Sequence, residues 1–408
     1  MKFFHLSDLH IGKQLHYYNL KEDQRYILRE IVDYAGQLHP DAIVIAGDIY
    51  DKSAPSAEAV SIFDEFLTKI SEIMPRISVL IISGNHDSSE RLEYASEILK
   101  KEKIYLAGDV PRTEEEHLKK VTLEDEYGEV DFYLLPFMKP SYVRKIFEEE
   151  MLSYTDAVGK MIDREKIDFK NKRNVLISHQ FYAGKDRPET CDSETISVGG
   201  LDQVSTSVLH GFDYVALGHL HGAQNLTIDD EGCVESDNDN DNGRDCDHGK
   251  KYSCIRYCGT PLKYSVSEAN QEKTLTVVEM SGKEDGVQVK TVPLHPMRDV
   301  KKKRGNLQEI LQNAIEEERE DYISVTLTDE LEPYKPKEQL QQNFEHILEI
   351  NIDNTRTRKQ LELLEETMIL KNPMTNFEDF YFEIQGKELS EKERNIMEKI
   401  ISEAGEEV

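Results

Sequence analysis

Over the first 220 residues the apolar positions follow two periods in turn. Short apolar runs at Lys2 to Leu6, Ala42 to Ala46, Val79 to Ser83, Phe132 to Leu135, Val175 to Ser178 and Tyr214 to Leu217 predict strands. Between the first two, Ile27, Ile31, Tyr34, Ala35 and Leu38 recur at helical spacing and make a face that can cover a sheet. The recurring order of strand, polar motif and helix predicts an α/β fold with a sheet between helices.

From Asp229 to Lys251 runs a stretch of Asp, Asn and Gly without hydrophobic periodicity, read as a surface insertion into a hairpin-like region. Strand patterns resume at Tyr252 to Tyr257, Thr274 to Met280 and Val287 to Val292. After the basic cluster Lys301 to Arg304 come a helical pattern (Asn306 to Glu317), a strand (Tyr322 to Leu327), a helix around Lys337 to Phe344 and a strand (Ile347 to Ile352). These predict a small α+β domain over 281–353 behind a first domain over 1–280. The remaining residues, 354–408, read as helices: Leu361, Leu364 and Met368 share one face, and Phe377, Phe380, Tyr381 and Ile384 another. Ser390 with Glu393 forms a capping-box pattern before a last helix with Ile396, Met397, Ile400 and Ile401 inward. Those apolar faces need the body of the chain or a partner protein to cover them.

Composition narrows the classes. The 408 residues are 38% hydrophobic and 32% charged, which excludes fibrous and membrane proteins. No window reaches the roughly 20 apolar residues of a membrane span, and an acidic residue at position 8 comes too early for a signal peptide. A cytoplasmic location is expected. With 80 Asp plus Glu against 50 Lys plus Arg, the net charge of −30 repels polyanions, so handling of phosphate requires bound metal, a basic partner or both. The five cysteines are expected to be reduced.

Five polar motifs each follow a predicted strand: Asp8-Leu9-His10, Gly47-Asp48-Ile49-Tyr50-Asp51, Gly84-Asn85-His86-Asp87, Ser178-His179 and Gly218-His219-Leu220-His221. In layered α/β proteins the loops at that strand edge converge on ligands. Carboxylate, imidazole and amide groups without thiolate suit Mn²⁺, Fe²⁺ or Zn²⁺. Asp8, His10, Asp48, Asn85, His179, His219 and His221 are more groups than one catalytic ion uses, so two divalent ions bridged by a shared carboxylate, Asp48, are expected. Such a pair can polarise a phosphate and activate water near neutral pH.

The composite pattern resembles the calcineurin-like metallophosphoesterase superfamily, and within it the SbcD family of nuclease subunits, homologous to the eukaryotic and archaeal break-repair nuclease. The resemblance also includes Ile177 to Phe181, Ser197 to Asp202 and Tyr257 to Val266 with its Gly259-Thr260-Pro261-Leu262-Lys263-Tyr264-Ser265, and it spans nearly the whole chain. It implies a four-layer β-sandwich flanked by helices, with a small α+β capping domain and C-terminal helices. It implies one ion on Asp8, His10, Asp48 and His221 and a second on Asp48, Asn85, His179 and His219, with Mn²⁺ as the expected metal. His86 would then act on the scissile phosphate or the leaving oxygen, with Asp51 holding its imidazole through the other ring nitrogen. The implied activity is ATP-dependent exonuclease and endonuclease cleavage of DNA. The implied partners are double-stranded DNA, an SbcC-like ABC-type coiled-coil ATPase docked on the terminal helices, and a second copy of the chain in a heterotetramer.

Two rivals remain open at this level. A phosphodiesterase of the same superfamily acting on nucleotides or small phosphates would lack the segment at Gly259 to Ser265, and a non-catalytic DNA-tethering subunit would have lost ligands. Asp237 to Gly243 resembles the start of a Ca²⁺ loop, but its glycine falls one place late and the twelfth position is His248. Cys233, Cys246, Cys254 and Cys258 with His248 lack Cys-x-x-Cys spacing, so structural zinc is not the favoured reading. Lys301 to Arg304 suits either a DNA-backbone contact or a solvated linker.

Overall fold

The computed structural model describes residues 1–147, 153–185, 187–194, 202–228, 254–331, 333–359 and 373–405. Two six-stranded sheets dominate the first of its two compact units. One has the order Val287–Pro293, Thr274–Met280, Lys2–Leu6, Ala42–Ala46, Ser78–Ile82, Ile104–Ala107. The other runs Gln224–Leu226, Cys254–Tyr257, Tyr214–Gly218, Arg173–His179, Gly128–Leu135, Lys119–Asp125.

The central strands Ala42–Ala46, Ser78–Ile82 and Tyr214–Gly218 are buried at every position, because a layer covers each face. Phe3, Val44, Leu80 and Ile82 of the first sheet share a core with Phe132, Val175, Ile177 and Ala216 of the second. The Phe3 ring meets Phe132 and Tyr214 edge to face at 5.5 and 5.6 Å, which joins the two sheets directly. The outer face of the second sheet carries another core, in which Leu176, Val215 and Leu217 pack with Val143, Val158 and Met161 from the helices Pro140–Phe147 and Tyr154–Asp163. The helix Lys21–Leu38 buries Ile27, Leu28, Ile31 and Ala35, and stops at His39, whose left-handed backbone sends its N–H to the Ala35 carbonyl. The expected four-layer α/β sandwich is the observed one.

Lys2–Leu6, Ala42–Ala46 and Ser78–Ile82 run parallel, as do Arg173–His179 and Tyr214–Gly218. Their carboxyl ends therefore open on one edge, where all five polar motifs lie.

The first unit runs past the expected boundary at 280. Thr274–Met280 pairs antiparallel with Val287–Pro293 over seven residue pairs, and this hairpin carries the unit on to Lys301, with 320–322 added. The second unit comprises 302–319 and 323–408. Its three-stranded sheet has Tyr322–Leu327 between Val300–Gly305 and His346–Ile352, over a core of Leu307, Ile310, Ile323, Val325, Leu340 and Phe344. The basic cluster proves to be part of a strand and is matched with acids: Lys301 with Asp321, Lys303 with Glu318, Arg304 with Asp353. The reading of it as a solvated linker is corrected, since it lies within the strand Val300–Gly305. The insertion 229–251, the zinc candidates Cys233, Cys246 and His248, the motif at 197–201 and the face of Leu361, Leu364 and Met368 lie outside the described residues. Cys258 is a buried free thiol.

Candidate metal centre

The seven predicted side chains come together at the strand ends. Asp8, His10, Asp48, His179, His219 and His221 are buried and Asn85 is partly exposed. Four of them sit on left-handed backbone: Asp8 at φ 51°, His10 at 42°, Asp48 at 50° and His219 at 106°. Each such non-glycine residue costs on the order of 1–3 kcal/mol, and a concentration of this strain at one spot is the mark of a functional site. Two glycines make the approach possible. A Cβ on Gly218 would lie 1.9 Å from the Ala46 carbonyl oxygen, and one on Gly84 would lie 2.1 Å from Asp48 Oδ1.

The hydrogen bonds determine which atoms face inward. Asp8 takes the His219 backbone N–H at 3.0 and 3.1 Å, and Asp48 Oδ1 takes the His86 N–H at 2.9 Å, which leaves Asp48 Oδ2 for the interior. His179 Nδ1 lies 2.7 Å from the Ala46 carbonyl, which can only accept, so Nδ1 carries a proton and Nε2 is the ring nitrogen that faces inward. That Nε2 is 3.4 Å from Asp48 Oδ2 and 3.1 Å from Asn85 Oδ1, and Asn85 Oδ1 is 3.1 Å from His219 Nδ1. On the other side of Asp48, His10 Nε2 stands 3.6 Å from Oδ2, 3.2 Å from His221 Nε2 and 4.0 Å from Asp8. The outward nitrogens His10 Nδ1 and His219 Nε2 are buried and find no hydrogen-bond partner among the described residues.

Acceptor atoms crowded in this way repel one another unless a proton or a metal cation lies among them. The donor set here is oxygen and imidazole nitrogen in two lobes that share Asp48, which fits two first-row divalent ions. Electrostatics agree. Burial opposes a charge on His179, yet the Asp48 and Asp8 carboxylates raise its pKa to about 9, so the pocket draws positive charge to that nitrogen. Asp48 is held far below the carboxylate range: burial would raise it, but the His179, His10 and His86 imidazoles outweigh that. Burial raises Asp8, and lowers His10 and His219, the last to about 3, so these two imidazoles are neutral and able to ligate.

His86 stands at the rim, partly exposed, with Nε2 4.0 Å from Asp48 Oδ2 and its ring 4.9 Å from that of His10. Its Nδ1 bonds the backbone carbonyl of Asp51 at 2.9 Å, not the carboxylate. The expected Asp51 role is corrected accordingly: the main chain orients His86, while the Asp51 carboxylate pairs with Lys13 at 3.2 Å.

Several supporting residues were missed by the sequence reading. Asp87 accepts the N–H groups of Ile49, Tyr50 and Gly84 and so ties the loops of Asp48 and Asn85 together; burial and the Asp48 charge raise its pKa to about 6. Gln24 spans the His10 loop, accepting from Gly12 N–H at 2.9 Å and donating to the His10 carbonyl at 2.8 Å. Asp87 is the last residue of the Gly84-Asn85-His86-Asp87 motif, to which no role had been given, and that membership is a usable signal; Gln24 on its helix carries none. No helix among the described residues is long and apolar enough to cross a membrane.

Comparison with known proteins follows the same division of the chain. Residues 1–223 match the calcineurin-like phosphoesterase family model, and residues 293–384 match the type 5 capsule protein repressor C-terminal domain. The chain is similar to the SbcD component of nuclease SbcCD from Staphylococcus epidermidis, 30% identical over 98% of both chains. It is likewise similar to the SbcD component of the same nuclease from Staphylococcus saprophyticus, 29% identical over 98% of both. Among solved structures it is similar to GAP50 of Plasmodium (12% identity, TM-score 0.39, 72% of this chain and 84% of that one). It is also similar to a dimetal phosphatase from Danio rerio (12%, TM-score 0.40, 72% and 96%).

Proposed function

The chain belongs to the SbcD family of calcineurin-like phosphoesterases, and from that premise we propose that it is a metal-dependent DNA nuclease that hydrolyses phosphodiesters in double-stranded DNA with two Mn²⁺ ions. The observation that carries the reading is the pair of acceptor lobes meeting at Asp48 Oδ2, with His10 Nε2 on one side and His179 Nε2 on the other. Asp8, His10, Asp48 and His221 would hold one ion, and Asp48, Asn85, His179 and His219 the other. When bound, the ions supply Lewis acidity toward the phosphate and a nucleophile near neutral pH.

The chain's own groups supply the remainder. Asp48 orients both lobes, because its Oδ1 is fixed by the His86 N–H. The Ala46 carbonyl fixes the His179 tautomer. His86, oriented by the Asp51 carbonyl, protonates the leaving oxygen or stabilises the charge on the phosphate, and its position at the open rim suits contact with substrate. The net charge of −30 disfavours unaided DNA binding, so an SbcC-like ABC-type ATPase supplies the basic surface, within a cytoplasmic heterotetramer holding two copies of this chain.

The experiment is cleavage of linear duplex and hairpin DNA beside a chromogenic phosphodiester, with Mn²⁺, with and without the ATPase and ATP. Cleavage of DNA that is stimulated by the partner supports the reading. Turnover of the small ester with DNA left intact under all conditions would replace it with a small-phosphodiesterase function.

A further inference from the structure

One buried ion pair stands beside the centre without belonging to it. Glu268 is fully buried and Lys273 8% exposed, and Lys273 Nζ donates to Glu268 Oε2 at 2.7 Å. Burying two charges costs several kcal/mol per ion, and such a pair is often no more stabilising than an apolar substitute, so its presence calls for a reason. Both residues reach back to His221. Lys273 Nζ donates to the His221 carbonyl at 2.9 Å, and Glu268 Oε1 accepts from Ser193 Oγ at 2.6 Å. Ser193 Oγ is in turn 2.6 Å from His221 Nδ1.

The order of protons along this chain is forced. Glu268 is paired through Oε2 with the Lys273 ammonium at 2.7 Å, and its Oε1 also accepts the Tyr264 backbone N–H at 3.2 Å. It is therefore ionised and can only accept, so the Ser193 hydroxyl proton points at Glu268. The serine oxygen is then left to accept from His221, which must carry its proton on Nδ1. Nε2, the atom facing His10 at 3.2 Å, keeps its lone pair. Glu194 adds a clamp on the same residue, its Oε1 accepting the His221 backbone N–H at 2.5 Å.

We propose that Ser193, Glu268 and Lys273 form a relay that fixes the tautomer and orientation of His221 and thereby sets the affinity of the ion held by Asp8, His10, Asp48 and His221. The inference rests on the two-ion reading above and deepens it, making Ser193 and Glu268 positioning residues. It separates the two ions. The His179 lobe is fixed by a main-chain carbonyl, whereas the His221 lobe depends on side chains that can be substituted without touching any of the seven inward groups.

The test is Mn²⁺ titration by calorimetry on the full-length chain, with the tautomer of His221 read from its ¹⁵N ring shifts in the metal-free protein. The wild type should bind two equivalents. Ser193→Ala, which leaves the Glu268 and Lys273 pair in place, should bind one equivalent normally and the other about 10–100-fold more weakly, and should lose the single Nδ1–H tautomer. Ser193→Thr should restore both. A Ser193→Ala chain that binds two equivalents with wild-type affinity and keeps the tautomer overturns the relay. A wild type that binds no Mn²⁺ overturns the two-ion reading itself, and the relay with it, so the two failures are distinct.

Discussion

His86 and Asp48 neighbour each other at the centre but differ in what each holds. His86 is bonded outward to the Asp51 carbonyl and has no part in the acceptor lobes, so His86→Ala should keep Mn²⁺ and DNA binding while cleavage falls about 10²–10⁴-fold. Asp48→Ala removes the atom both lobes share, and Mn²⁺ stoichiometry should fall with activity. Calorimetry beside a single-turnover assay checks both; a His86→Ala chain cleaving at the wild-type rate rules out its role. A second residue-scale expectation concerns pH. His5 is buried between the sheets, its ring nitrogens 2.9 Å from Tyr214 Oη and 3.2 Å from the Leu217 carbonyl. Burial, then the Arg256 charge, lower its pKa to about 3. Between pH 6.5 and 3 the unfolded chain takes up a proton that the folded one refuses, so stability falls as pH drops through that window, by about 4 kcal/mol at its lower end. In urea unfolding series, His5→Phe should flatten the slope of stability against pH between 6 and 4 by about one proton equivalent. At this scale the seven inward residues were legible because each falls in a short motif after an apolar run. Asp51 was misread because sequence does not say whether a residue acts through its side chain or its carbonyl. Ser193 and Glu268 were invisible, being ordinary polar residues just outside the motifs.

Among the elements, the last two helices, Pro373–Gln385 and Glu391–Gly405, meet at a turn through Gly386 (φ 64°). The predicted capping box is present, with Glu393 accepting the Ser390 N–H at 2.9 Å, and Tyr381 Oη donates to Glu393 at 3.0 Å. The expected inward face is different. Phe380 is 59% exposed and Ile384 65%, with Ile396 and Ile400 about half exposed. Apolar side chains presented this way suit partner docking. Phe380→Asp with Ile384→Asp should leave the circular dichroism spectrum unchanged and abolish co-elution with the ATPase; retained co-elution would move the docking site elsewhere. Strands buried on both faces, such as Lys2–Leu6 and Ala42–Ala46, were readable to the residue, since continuous apolar runs have little alternative. The edge strand Lys119–Asp125 was not, because its exposed polar side chains break up the apolar run.

For the molecule as a whole, charge governs substrate access. Lys301, Lys303 and Arg304 are already matched with acids, so this run does not offset the net charge of −30. Binding of duplex DNA by isolated His86→Ala should therefore require Mn²⁺ and show a shallow dependence on log salt, with a slope magnitude below about 3, and should steepen when the ATPase is added. Fluorescence anisotropy across a salt series measures this; a steep slope for the isolated chain would mean that it carries its own basic DNA surface. The amino-acid sequence by itself determined the layered α/β class, the strand ends as the place of chemistry and the identity of the inward residues, because burial pattern and side-chain chemistry are local properties. Only the tertiary structure decided which nitrogen of each histidine faces inward, that Asp51 acts through its main chain, and where the first unit stops. The first two depend on partners far along the chain, such as Ala46 for His179, Glu268 for Ser193 and Asp51 for His86, which no local pattern encodes, and the third on which unit the Thr274–Met280 and Val287–Pro293 hairpin joins.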